Sequence, residues 1–167
     1  PKCAPVCALG AHAGAFFGLG WGRDAGTADR SESATLGAVT PLADIIGQIS
    51  AARDRSSRVL VGIGGHGASG KSTLARRIAE EIADTQIVAT DSFWSGTQFE
   101  LDRLRTDVVD VLLTGNVAHF DAWDWADKQL RPGRSVVPTG VVVIEGVCAL
   151  HQMFRADLAV RIWIDAP

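Results

Sequence analysis

The chain has 167 residues, 47% of them hydrophobic and 21% charged, with a formal net charge of −3 and a pI near 5.8. That length is a prior for one domain, and the composition is globular rather than disordered or collagen-like. The mild acidity argues against a nucleic-acid protein held by a basic face, and no run of about 18 apolar residues offers a membrane-spanning helix.

Thirteen arginines stand against three lysines. Such a skew suits forked contacts to phosphate, and codon bias produces the same skew. Cys3, Cys7 and Cys148 are too few for a disulfide framework and match no zinc-ligand spacing. A reducing cytoplasm is therefore the expected compartment.

Residues 1–39 show no sustained period of 2 or 3.6. The Ala/Gly-rich stretch Cys3 to Trp21 follows Lys2 as a secretory leader would, yet His12 and the glycines at 10, 14, 18, 20 and 22 leave it a poor apolar core. This arm is expected to be poorly ordered or loosely docked, with the domain proper over residues 40–167. Thr40 and Pro41 then predict a helix start, Thr as N-cap and Pro at the first helical position. Leu42, Ile45, Ile46 and Ile49 share a face of that helix, which fades near Asp54.

From there apolar runs alternate with amphipathic helices. Arg58 to Ile63 reads as a buried strand, Lys71 to Ala83 as a helix and Gln86 to Thr90 as a short strand. Phe99 to Leu113 reads as a second amphipathic helix, and Gly115 to Pro138 as an irregular, Trp-rich stretch. Val141 to Ile144 and Leu158 to Ile164 complete the strands. Continuous apolar strands alternating with helices imply an α/β fold, a parallel sheet covered on both faces.

Between the first strand and its helix lies Gly65-His66-Gly67-Ala68-Ser69-Gly70-Lys71-Ser72, which fits GxxxxGK[ST] without a mismatch. Glycines let the backbone curl so that successive N–H groups face a triphosphate, and the helix adds its positive N-terminal end. Lys71 is expected to reach the β- and γ-phosphates, and Ser72 to ligate Mg²⁺. His66 reads as a loop residue with no proton to move. A chance match in a glycine-rich stretch is the alternative, and the strand–loop–helix context opposes it.

Val141-Val142-Val143-Ile144-Glu145-Gly146 is the second anchor, a buried strand ending in an acid that would face the metal or its waters. Otherwise Glu145 is a charge that needs a partner. Asp91 ends another strand, at the sheet edge where α/β folds bind ligands. It reads either as a turn-forming Asp or as the base that takes the proton of an acceptor hydroxyl. Neither an NKxD nor an LSGGQ-like motif accompanies the loop, which leaves small-molecule kinases as the class.

With Gly64 to Thr73, Asp91-Ser92-Phe93-Trp94, Val143 to Val147, and Asp157-Leu158 through Trp163-Ile164-Asp165, the chain resembles the uridine kinase-like members of the phosphoribulokinase/uridine kinase family over about residues 56–167. The resemblance implies a P-loop NTPase fold with strands in the chain order 2-3-1-4. It implies ATP and Mg²⁺, and transfer to the 5′-hydroxyl of uridine or cytidine. Asp91 would be the base and would also face the metal, with Ser72 and Glu145 on the magnesium side. Gly65 through Thr73 would hold the nucleotide.

The family's ribose-holding acidic segment has only Phe99-Glu100-Leu101-Asp102 as counterpart, making Asp102 the candidate. Its Tyr-Asp-Phe corresponds to Trp123-Asp124-Trp125, either an aromatic wall with one acceptor or plain core. Family members continue into an Arg-bearing lid, whereas this chain ends at Pro167. The reading therefore expects a C-terminally truncated kinase domain. Arg103, Arg105, Arg131 and Arg134 become candidate cations, or solvated surface charges. Two alternatives stay open: a nucleotide-binding module with little turnover, or a kinase acting on a sugar, vitamin precursor or nucleotide. The expected partner is a small molecule, with no nucleic acid or membrane, and the last strand offers an edge for self-association.

Overall fold

The computed structural model describes residues 40–165. The expectations for the arm at 1–39 lie outside the described residues. Helix α1 (Leu42–Arg53) begins one residue later than expected. Pro41, with extended backbone, is the N-cap, and its carbonyl accepts the N–H groups of Asp44 and Ile45, so Thr40 caps nothing. Strand β1 (Arg58–Gly65) runs into the glycine loop, and α2 (Lys71–Glu81) leaves it. Strand β2 (Thr85–Ala89) passes into a 3₁₀ turn over Thr90–Phe93.

The expected helix at 99–113 is three pieces: α3 (Leu101–Leu104), a π-helical turn (Arg105–Val109) and α4 (Asp110–Leu113). The π turn follows from burial, because Leu104, Val108, Val109 and Leu112 are all fully inside. An unbroken α-helix would rotate Val109 away from the core by one position.

The stretch 115–138 is not irregular. It holds an antiparallel hairpin, β3 (Ala118–Asp124) and β4 (Gln129–Val136). In β3, Ala118, Phe120 and Ala122 are buried and His119 and Asp121 exposed, the alternation of a half-buried strand. Pro132 and Gly133 speak against a strand in the sequence. They sit opposite Asp121, where the register shifts, and a bulge accommodates both.

The main sheet is parallel, with β5 (Gly140–Glu145) and β6 (Val160–Ile164), in the order β2-β5-β1-β6. Counting only these four strands along the chain, this is the expected order 2-3-1-4. The last strand begins at Val160 rather than Leu158. Alternation along β1 and β5 divides the core. Val59, Val61, Ile63, Val141 and Val143 pack against Ile45, Ile49, Ala75 and Ile78. Leu60, Val142 and Ile144 pack on the other face with Phe93, Leu104, Val108, Phe120 and Phe154. Among the described residues, no helix is long and apolar enough to cross a membrane.

Candidate active site

The same alternation that buries Val141 and Val143 against α2 points Glu145 to that face, at the carboxyl end of β5. Its strand neighbours are Ile63 in β1 and Ala89 in β2. The phosphate loop and the turn bearing Asp91 therefore converge on the end of one central strand. This is the juxtaposition that the motifs require.

The loop is shaped by backbone, not by side chains. Gly65, Ala68 and Gly70 all have positive φ, at 152°, 59° and 92°. A Cβ on Gly65 would lie 2.5 Å from the Ile164 carbonyl oxygen and 2.7 Å from Ser69 Oγ, so the tight curl excludes any other residue there. Residues Ala68 to Thr73 line an open hollow of about 240 Å³. Gly67 is exposed in this loop, and the exposed His66 leaves its ring edge-on to Trp163, centroids 5.5 Å apart. That contact agrees with reading His66 as a loop residue.

Lys71 is only 8% exposed, and its Nζ donates to the His66 carbonyl oxygen and to Ser69 Oγ. Held this way, the ammonium ties the loop back on itself, and Lys71 lines the hollow. Thr73, next along α2, is exposed.

Ser72 Oγ donates to Glu145 Oε1 at 3.0 Å. Glu145 is itself 8% exposed, and burial pushes its carboxyl above the ordinary glutamate range. The Ser72 hydroxyl opposes this shift, the nearby charge of Asp91 reinforces it, and Lys71 and Arg76 pull it back. A desolvated acid beside a hydroxyl and a second carboxylate is poorly compensated as it stands. A divalent cation at these oxygens would compensate it, so the donor set fits magnesium. Among the described residues, no cluster of three or more His, Cys, Asp or Glu forms a self-sufficient metal site.

Asp91 is exposed, and its carboxylate makes no hydrogen bond or ion pair among the described residues. Its backbone carbonyl only closes the 3₁₀ turn onto Trp94. Its carboxylate is thus open to solvent and near enough to Glu145 to act on it electrostatically.

Beyond Asp91 the turn and the hairpin bring aromatic rings together. Trp94 lies over Trp125 at 5.9 Å with planes 25° apart, and edge-on to Phe99 at 5.0 Å. Trp123 stands edge-on to Trp125 at 6.4 Å and its ring closes over Gly96. Trp125 is 57% exposed, whereas Trp94 and Trp123 are half-buried, so core packing accounts for the latter two only in part and not for Trp125.

The other two acceptor candidates are placed differently. Asp124 Oδ1 accepts the backbone N–H groups of Ala126 and Asp127, and these bonds hold its carboxyl below the ordinary range. It shapes the hairpin turn. Asp102 is exposed on the first turn of α3 and has no polar partner among the described residues. Of the candidate arginines, Arg103 pairs with Glu100 and Asp107, Arg105 with Asp157 and Asp110, and Arg131 with Asp127 and Asp124. Arg134 is exposed and has no such pair among the described residues.

Two contributors were not singled out by sequence reasoning. Arg76, one turn beyond Ser72, donates Nε to the Ser72 carbonyl oxygen at 3.1 Å and acts electrostatically on Glu145. Its i+4 spacing from Ser72 was the available sign. Phe99 joins the wall through an isolated bridge to Trp94, which only the folded chain reveals.

No family model matches the chain. Among curated relatives it is similar to the uridine kinase of Halobacterium salinarum, 28% identical over 117 residues, covering 59% of this chain and 52% of that protein. It is also similar to the uridine kinase of Borrelia hermsii, 22% identical over 125 residues, covering 65% of this chain and 61% of that protein. The chain thus spans between half and two thirds of the length of these relatives.

Two solved structures share its fold. One is a Bacillus stearothermophilus protein described as a possible uridine kinase, with a TM-score of 0.58, 17% identity, and coverage of 74% of this chain and 83% of that one. The other, from Silicibacter, is provisionally described as a fructose transport system kinase, with a TM-score of 0.63, 21% identity, and coverage of 77% and 76%. The resemblance to uridine kinases read from the motifs is borne out, and the fold is that of the P-loop kinases.

Proposed function

We propose that this chain carries the catalytic core of an ATP-dependent kinase that phosphorylates a small-molecule hydroxyl, most simply the 5′-hydroxyl of a nucleoside such as uridine or cytidine. The observation that carries the reading is the convergence of Lys71, the Ser72–Glu145 pair at 3.0 Å and the unengaged Asp91 at the end of β5. The uridine kinase names of the curated relatives support the choice of acceptor.

The loop amides and Lys71 would hold the β- and γ-phosphates of ATP, Lys71 leaving the His66 carbonyl to do so. Ser72 and Glu145 would hold magnesium or its waters, and the ion supplies positive charge that the phosphate oxygens need when they are brought together. Asp91 accepts the proton of the acceptor hydroxyl as that oxygen bonds to the γ-phosphorus and the bond to the ADP oxygen breaks. The wall of Trp94, Trp123 and Trp125 stacks against the flat ring of the acceptor and keeps water from the reacting oxygen.

A second acceptor class has an observation in its favour. The protein provisionally described as a fructose transport system kinase shares this fold with the higher TM-score of the two, 0.63, and Asp102 is free to meet a sugar hydroxyl of either acceptor. Mass analysis of the product from Mg·ATP with uridine, cytidine and fructose decides between them. A nucleoside 5′-monophosphate is the expected product; a sugar phosphate alone would move the acceptor to the second class.

A further inference from the structure

The hairpin β3–β4 is a two-stranded sheet separate from the main one, and it rests on the core through Ala118, Phe120, Ala122 and Val136 rather than through strand pairing. Yet it carries Trp123 and Trp125, which must keep a fixed distance from Asp91 if the acceptor hydroxyl is to meet its base. One side chain joins the three elements involved. Arg103, on α3, donates Nη2 to the backbone carbonyl of Asp121 in β3 at 2.6 Å. Its Nη1 donates to Glu100 Oε2 at 2.8 Å, and Glu100 N in turn donates to the Phe93 carbonyl at 2.7 Å. The guanidinium lies over the Phe93 ring, 5.1 Å from its centroid, and Phe93 stacks on Phe120 of β3 at 5.0 Å. Asp107 Oδ2 stands 3.8 Å from Nε.

Phe93 is two residues from Asp91, and Asp121 two residues from Trp123. The planar, forked guanidinium therefore bridges the base and the aromatic wall in a geometry that a surface ion pair would not need. We propose that Arg103 is a positioning residue that sets the acceptor wall against Asp91 while leaving the phosphate loop untouched. The proposal rests on the reading of Trp123 and Trp125 as the acceptor wall.

The test uses Arg103→Met, which keeps the length and removes every polar contact, and Arg103→Lys, which keeps the charge and one bond. For Arg103→Met the acceptor KM is expected to rise about tenfold or more, the scale of a lost charge-assisted hydrogen bond, and kcat to fall with the misplaced hydroxyl, while Mg·ATP affinity stays within about threefold. Arg103→Lys recovers part of that KM. Near-UV circular dichroism supplies a readout free of turnover: the band of the Trp94–Trp125 pair weakens in Arg103→Met and returns in Arg103→Lys, with the far-UV spectrum unchanged.

An unchanged KM with an unchanged tryptophan band overturns the proposal. So does an ATP affinity that falls in step with the acceptor KM, because that marks general loosening. Should the wild-type chain bind Mg·ATP yet phosphorylate no acceptor, the kinase reading fails, and the tryptophan band alone then decides whether Arg103 positions the wall. Should Arg103→Met not fold, Arg103→Lys carries the same comparison.

Discussion

The two halves of the site are built by different means. On the proposed ATP side, strand β1, the loop and α2 form a continuous stretch of chain, and the geometry is set by backbone curvature that only a few residues permit. On the proposed acceptor side, the 3₁₀ turn, α3 and the hairpin come from separate segments, held together by a shared core, by Arg103 and by ring contacts. A local device tolerates change around it but not within it. An assembled device can be loosened from a distance. The comparison predicts that variants should separate cleanly into those that affect ATP and those that affect the acceptor.

The largest separation is expected from Asp91→Asn. Acceptor-dependent turnover should fall by about 10²–10⁴-fold, the usual contribution of a positioned base, with ATP affinity unchanged. Parallel initial-rate and nucleotide-binding measurements check it. Loss of ATP binding in this variant would merge the two halves.

Next is Gly65→Ala, where the added methyl meets the Ile164 carbonyl oxygen at 2.5 Å. Overpacking of this kind costs about 1–3 kcal/mol, and here it should appear as ATP affinity lowered roughly tenfold. Titration with a fluorescent ATP analogue reads it directly. A variant that binds ATP normally but handles the acceptor poorly would reverse the assignment of the loop.

Trp125→Ala should be milder still. Removing an exposed ring from an aromatic pair costs about 0.5–1.5 kcal/mol, a few-fold rise in acceptor KM with kcat and ATP affinity held. Steady-state kinetics against acceptor concentration would show it, and an unchanged KM would return Trp125 to an idle surface position.

The smallest effect concerns Glu145. Its carboxyl lies above the ordinary range because burial disfavours the charge. Folding then favours the protonated form, so this group's contribution is full below the ordinary glutamate range near about 4.3 and is lost as pH rises through the raised value. Metal-free wild type should lose thermal stability relative to Glu145→Gln as pH rises across that interval, and Mg·ATP should narrow the gap. Melting curves of both proteins between acid and neutral pH measure it. A gap that widens in the opposite direction would mean that Glu145 is already compensated.

How much of this was legible in the sequence divides along the same line. Strand β1, the loop, α2 and the acid at the end of β5 obey local rules, and the strand order 2-3-1-4 came with the family resemblance, Glu145 beside Lys71 accounting only for β5 next to β1. The hairpin was hidden because Pro132 and Gly133 break a strand pattern unless a bulge absorbs them. The π turn was hidden because its cause is the burial of Val108 and Val109 together, a tertiary demand. Asp124 illustrates the limit for side chains. Its neighbours in sequence are both wall tryptophans, yet its carboxylate turns back to the N–H groups of Ala126 and Asp127. Residue type and spacing marked a candidate, and only the turn disclosed its task.

The most direct test of the central claim is ADP release from Mg·ATP with and without uridine or cytidine, in the wild-type chain and in Lys71→Ala. The account predicts release that depends on the nucleoside and vanishes in the variant. ATP bound by the wild-type chain with no acceptor-dependent release, or release that survives in Lys71→Ala, would contradict it.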